Sequence, residues 1–232
     1  MKIDSPFQRK SAPQYSPPAQ EDGPAAPVVM IVDDDACLRE ALAELLMSVG
    51  FEVACFASTA ELLASATLGR PGCLILDVRM PGTSGLDLQR ELARRGEEKS
   101  IIFLTGHGDI PMSVQAMKAG AIDFLTKPVR DQTLLDAVST GIATDAARRR
   151  EAALLQATVE RFRALTPRER EVFCEVARGR LNKQIAYDLG ISEVTVKLHR
   201  ANVMRKMEVA GVGGLIRAWT VLPEALREQP AP

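Results

Sequence analysis

From Val28 onward, five short apolar runs alternate with five amphipathic stretches, and this alternation narrows the fold more than any other feature of the chain. The runs cover residues 28–32, 52–56, 73–76, 101–104 and 122–125 and are rich in Val, Ile, Leu and Phe. The stretches lie near 37–49, 59–66, 86–95, 111–119 and 133–143, with apolar residues at helical spacing. In the first of them Leu38, Leu42, Leu45, Leu46 and Val49 share one face. Five strand–helix units in series predict an α/β domain, a doubly wound five-stranded parallel sheet with helices on both faces. In such a sheet, ligands bind beyond the carboxyl ends of the strands.

The polar residues at those ends are informative. Asp33 and Asp34 follow the first strand, Asp77 closes the third, Thr105 closes the fourth and Lys127 follows the fifth. A parallel sheet gathers them at one edge. Three carboxylates there repel one another unless a cation lies among them, and hard oxygen ligands suit Mg²⁺. A carboxylate beside Mg²⁺, a lysine and a hydroxyl is placed to attack phosphorus and become an acyl phosphate, with the metal and Lys127 offsetting the transferred charge. A single aspartate at a strand end is ordinarily a helix cap; five such residues at the matching ends are not explained that way.

Val32-Asp33-Asp34-Asp35, Asp77-Val78-Arg79-Met80-Pro81-Gly82 and Lys127-Pro128 together resemble the motifs of the response-regulator receiver, a flavodoxin-like fold, over about residues 28–145. Thr105-Gly106-His107-Gly108-Asp109 and Met117-Lys118-Ala119-Gly120-Ala121-Ile122-Asp123-Phe124 look like its FixJ branch. The resemblance implies that Asp77 is the phosphoacceptor. It implies a metal site of Asp33, Asp34, Asp77 and the backbone carbonyl of Arg79. Thr105 and Lys127 would bind phosphoryl oxygens, and Thr105 and Phe124 would act as the switch. His107 reads as a polar loop residue with no catalytic part.

The remaining sequence divides around this domain. Residues 1–27 hold six prolines with few large apolar groups, so a disordered tail is expected. Residues 28–142 form the expected receiver. Residues 143–164 contain no Gly or Pro, carry Leu155, Val159 and Phe162 on one face, and predict a helical linker, with a solvated spacer or a packing face for a second copy as alternatives. No apolar run nears the roughly 18 residues of a membrane span, and no secretory signal is evident, so a cytoplasmic protein without membrane contact is expected. Cys37, Cys55, Cys73 and Cys174 lack metal-site spacing and read as reduced thiols. Residues 28–142 carry 16 acidic against 10 basic side chains, whereas residues 143–209 carry 9 against 14. Opposite charge in the two halves suggests different partners.

Residues 165–224 predict an all-α four-helix domain. Thr166-Pro167-Arg168-Glu169 has the pattern of a capping box with Pro in the first turn. Helices are expected near 167–178, 183–189, 193–207 and 212–221. The second and third, joined at Gly190-Ile191-Ser192, have helix-turn-helix spacing. On the third, Val194, Leu198 or Val203, and Met207 are expected to be buried, with Thr195, Lys197, His199, Arg200 and Asn202 partly exposed for a major groove. Leu165-Thr166-Pro167-Arg168-Glu169-Arg170-Glu171-Val172, Asn182-Lys183-Gln184-Ile185-Ala186 and Thr195-Val196-Lys197-Leu198-His199 look like the LuxR-type DNA-binding domain over about 163–224. That resemblance implies base contacts from Lys197 and Leu198, and phosphate contacts from Lys183, Thr195, His199 and Arg200. Related proteins often carry a basic reader where Ala201 stands here, and Ala can meet a thymine methyl but cannot pair with guanine. Leu215 and Trp219 on the last helix are expected as core or dimer contacts, with the interface favoured.

The whole chain therefore resembles a FixJ/NarL-type regulator, which is not an enzyme beyond slow hydrolysis of its own phosphate. Its implied partners are a sensor histidine kinase, double-stranded promoter DNA and, when phosphorylated, a second copy in a homodimer; RNA polymerase is a further candidate. A haloacid-dehalogenase-like phosphatase also uses an Asp nucleophile on a parallel sheet, but it needs a carboxylate where Arg79 stands. An adaptor whose output domain binds protein is the other alternative.

Overall fold

The computed structural model describes residues 26–106 and 110–227. The expected tail lies almost wholly, and His107 entirely, outside the described residues. The strands are β1 (Val28–Val32), β2 (Glu52–Phe56), β3 (Gly72–Leu76), β4 (Ser100–Thr105) and β5 (Asp123–Thr126). They form one parallel sheet in the order β2-β1-β3-β4-β5. The first four helices are α1 (Ala36–Ser48), α2 (Thr59–Ala64), α3 (Gly85–Arg94) and α4 (Ile110–Lys118), and α2 is followed by a 3₁₀ turn (Ala66–Gly69).

Strand side chains alternate between two cores. Val29 and Ile31 point to the face covered by Leu42 and Leu46 of α1. Met30 and Val32 point to the face covered by Leu62, Leu88, Leu92 and Ala116 of α2, α3 and α4. The central strands β1, β3 and β4 are buried on both faces, which is why they read as continuous apolar runs, while the edge strands β2 and β5 are only partly covered.

The fifth helix departs from expectation. The helix predicted at 133–143 and the linker predicted after it are one element, α5 (Asp131–Arg163), 33 residues long. Leu134 and Val138 pack on the sheet face shared with α1. Gly141 lies within the helix where it packs closely on β3: a Cβ there would lie 3.0 Å from Cys73 Cβ. Leu155, Val159 and Phe162 pack into the C-terminal core of the same chain, so the stripe serves neither a second copy nor solvent.

The C-terminal core is built by α6 (Pro167–Ala177), α7 (Asn182–Leu189), α8 (Glu193–Lys206) and α9 (Val212–Val221). A one-turn α10 (Glu224–Arg227) follows, where a frayed end is the sequence expectation. Thr166 and Glu169 form the capping box, and Gly190 ends α7 in the left-handed conformation at φ 66°. No described helix is long and apolar enough to cross a membrane.

Candidate functional site

The order of the strands reverses between β1 and β3, and the two bear the acidic residues on adjacent ends. Asp33 follows β1 and Asp77 follows β3, with the Asp77 amide donating to the Val32 carbonyl at 2.9 Å. One carboxylate oxygen each from Asp33, Asp34 and Asp77 lies within 4.8 Å of the others. Asp33 and Asp77 are buried, 2% and 7% exposed, and Asp34 is open to solvent.

Lys127 reaches over from β5. Its ammonium is 2.6 Å from Asp33 Oδ2 and 3.2 Å from Asp77 Oδ2. Burial pulls the Lys127 pKa down, but the bonds and charges of Asp33 and Asp77 outweigh it and hold the pKa above the ordinary lysine value. Its backbone amide donates to the Thr105 carbonyl at 2.8 Å, joining the ends of β4 and β5. Thr105 is buried, and Phe124 leans on Phe103 with ring centroids 6.0 Å apart.

Backbone contacts fix the loop that carries Asp77. The Arg79 amide donates to Asp77 Oδ1 at 3.3 Å, and the Gly85 amide to the Val78 carbonyl at 3.0 Å. A Cβ on Gly85 would lie 2.3 Å from the Asp77 carbonyl oxygen, so only glycine admits this approach of α3. Gly85 is a site residue that sequence reasoning missed; its only signal is a glycine at a helix start. Arg39 is another, donating to the Asp33 carbonyl at 2.6 Å.

Three carboxylates and one ammonium leave a net charge near −2, all on hard oxygen donors. That donor set fits a divalent cation such as Mg²⁺.

On the C-terminal domain, Ser192 caps α8 by accepting from the Thr195 amide at 3.1 Å. The buried face of α8 is Val196, Val203 and Met207. This corrects the expected register: Val194 is 75% and Leu198 61% exposed, because α7 and α6 pack on the neighbouring stripe. Lys183 and Lys197 are exposed, and Thr195, His199 and Arg200 are half-buried. The Arg200 guanidinium donates to Asn182 Oδ1, tying α8 to the start of α7. Leu215 is fully buried and serves the core, against the expected interface, whereas Trp219 packs on Phe173 at 5.9 Å and is only half-buried.

A receiver-type acidic site on a parallel sheet, joined to a capped helix-turn-helix, defines a two-domain signalling protein. Comparison with known proteins agrees. The family model of the response regulator receiver domain matches residues 29–139, and that of the bacterial regulatory proteins of the luxR family matches residues 163–218. The chain belongs to the response regulators that couple a receiver to a LuxR-type DNA-binding domain, proteins of phosphorylation-dependent transcription regulation. It is 47% identical over 201 residues to the response regulator protein TodT of Pseudomonas putida, covering 87% of this chain and 88% of that one. It is 50% identical over 190 residues to nodulation protein W of Bradyrhizobium diazoefficiens, covering 82% and 84%. The structure of the response regulator StyR superposes with a TM-score of 0.76 at 47% identity, covering 84% of this chain and 98% of that one.

Proposed function

We propose that Asp77 takes a phosphoryl group from the phosphohistidine of a sensor histidine kinase and that the resulting charge drives receiver pairing and binding of promoter DNA. The observation that carries this reading is the convergence of Asp33, Asp34 and Asp77 within 4.8 Å beneath the Lys127 ammonium. An Asp77 carboxylate oxygen attacks phosphorus, the nitrogen–phosphorus bond breaks, and an acyl phosphate forms. Asp33, Asp34, Asp77 and the Arg79 backbone carbonyl would hold Mg²⁺, which when bound supplies a Lewis acid at the phosphoryl oxygens. Lys127 offsets the transferred charge, Thr105 hydrogen-bonds a phosphoryl oxygen, and Phe124 follows Thr105 inward. The acyl phosphate is lost slowly by hydrolysis at the same site.

Receivers pair through the face of α4 and the neighbouring part of α5, where Ile110, Val114 and Met117 are exposed. Paired C-terminal domains then read two half-sites of double-stranded promoter DNA. Lys197 and Leu198 meet bases, and Lys183, Thr195, His199 and Arg200 meet phosphates. RNA polymerase is the partner downstream. The working division is a tail at 1–27, a receiver at 28–142, a linker at 143–164 and a DNA-binding domain at 165–224, in a cytoplasmic protein.

The test is labelling by acetyl phosphate with Mg²⁺. Asp77→Asn abolishes labelling and the shift from monomer to dimer that light scattering reads with beryllofluoride. Labelling of Asp77→Asn equal to that of the parent chain refutes the assignment.

A further inference from the structure

We propose that Asp145, with Arg148 and Arg149, is a clamp that fixes the interdomain helix α5 to the base of the receiver sheet and so sets where the DNA-binding domain is held. Asp145 lies one turn beyond Gly141 and is fully buried. Its Oδ2 accepts from the Gly72 amide at 2.9 Å and from Arg149 Nε at 2.8 Å, and its Oδ1 is paired with Arg148. Arg149 continues into the receiver, donating to the carbonyls of Gly69 at 3.2 Å and Arg70 at 3.0 Å. Buried Lys99 donates to the same Arg70 carbonyl at 2.6 Å, and Arg148 also faces Glu98 at 3.6 Å. Helix, 3₁₀ turn and two strand starts thus meet in one charged network.

Three observations give the network a role beyond filling the core. First, a buried charge is poor at adding stability but specific in geometry, because it tolerates one set of partners at one height and rotation. The alanines around it would keep α5 helical without any such charge. Second, Asp145 grips Gly72, the first residue of β3, and β3 ends immediately before Asp77. The strand that presents Asp77 at one end is therefore bonded to the interdomain helix at the other. Third, the hold is local. Among the described residues, side-chain hydrogen bonds and ion pairs from α5 to the receiver end with Arg149, residues 150–154 are all exposed, and contacts to the C-terminal core begin only at Leu155 and Val159. Without the clamp, the free span of α5 lengthens from the exposed 150–154 back to Ile142, and the helix gains a hinge.

The experiment is limited trypsin digestion of the full chain with fragments identified by mass, alongside small-angle scattering. Arg148, Arg149 and Arg150 make this segment a reporter, since cleavage requires local opening of the helix. Asp145→Asn is expected to raise cleavage at 148–150 about tenfold and to broaden the distribution of interdomain distances, with labelling by acetyl phosphate retained. Arg149→Gln, which keeps the buried carboxylate but removes the cleavage site at 149, is expected to raise cleavage after Arg148 and Arg150 and to broaden the scattering to a smaller degree. Unchanged cleavage and superimposable scattering for Asp145→Asn overturn the proposal. So does an Asp145→Asn receiver that unfolds while Arg149→Gln digests like the parent chain, because Asp145 is then a core residue of the receiver alone. Loss of labelling in Asp145→Asn also overturns it, because the network then maintains the receiver's own site instead of only holding the interdomain helix; the phosphoacceptor assignment is tested separately by Asp77→Asn.

Discussion

Lys127 sits closer to Asp33, at 2.6 Å, than to the carboxylate it is expected to serve, with Asp77 0.6 Å farther away at 3.2 Å. One ammonium is thus shared by the buried pair and offsets only one of its two charges, while the third carboxylate, Asp34, faces solvent. Asp34→Ala is expected to raise the thermal midpoint in metal-free buffer, since it removes repulsion without uncovering a buried group. The same variant loses Mg²⁺-dependent labelling, and added Mg²⁺ no longer stabilises it. A midpoint that rises equally with Mg²⁺ in both proteins counts against the metal role of Asp34.

Lys127→Met leaves Asp33 and Asp77 buried without their cation and is expected to cost on the order of 1 to 3 kcal/mol at neutral pH. The Lys127 pKa in the folded chain lies above its ordinary value of 10.5. Its contribution is therefore complete below about pH 10 and is lost as pH rises through the folded value. Urea unfolding of parent and variant without metal should show a gap that closes only in strong alkali.

Lys99 behaves oppositely. Burial, and then the neighbouring Arg149, lower its pKa to about 8 from the ordinary 10.5. Between those values the unfolded chain binds more protons than the folded one, so stability rises with pH across that window. Below about pH 8 both states are protonated and the burial penalty is full and constant. Relative to Lys99→Met, the parent chain is expected to gain on the order of 2 kcal/mol between about pH 8 and 10.5. Parallel pH profiles for the two proteins would show that Lys99 stays charged in the fold.

Much of this was legible in the sequence, for identifiable reasons. Asp33, Asp77, Thr105 and Lys127 stand out because each ends an apolar run, and a parallel sheet leaves strand ends no other place to meet. The core side of α1 was legible through Leu42 and Leu46. The register of α8 was not, because Val194 and Leu198 are apolar yet exposed on the face expected to meet DNA. Asp145 was invisible for the converse reason: an aspartate before three arginines reads as a solvated helix surface, and its burial is set by Gly72 and Arg70, more than seventy residues away. The close approach of α5 to β3 at Gly141 was likewise not legible, since Cys73 lies 68 residues away in sequence.

Glu169 ties the C-terminal domain together, accepting from Lys206 at 2.6 Å and from the Thr166 amide at 2.8 Å. Burial raises its pKa, but Lys206 and the Thr166 bonds outweigh that and hold it below the usual carboxylate value of 4.5. The contribution is present above about pH 4.5 and is lost as pH falls through the lowered folded value. Glu169→Ala is expected to cost about 1 to 2 kcal/mol through the cap and the stranded ammonium. Thermal unfolding followed by Trp219 fluorescence reads this domain directly, and a variant with an unchanged midpoint would make the pair ornamental.

Lys183 and Lys197 are both exposed but lie in different settings. Lys183 is the second residue of α7, where lysine charge and the amides of a helix start together favour a phosphate. Lys197 lies one turn into α8, beside exposed Val194 and Leu198 on the surface proposed to meet the groove. Lys183→Ala is expected to weaken binding to all duplexes alike and to lower the salt slope by about one unit. Lys197→Ala is expected to cost about 1 to 3 kcal/mol on the operator and to relax preference at one base pair per half-site. Titration of both variants against operator and scrambled duplexes at several salt concentrations separates the roles. Equal losses for Lys197→Ala on both duplexes would make it a phosphate contact and would leave sequence reading to Leu198 and Ala201. Those two can sense thymine methyl groups but supply no hydrogen bond to guanine.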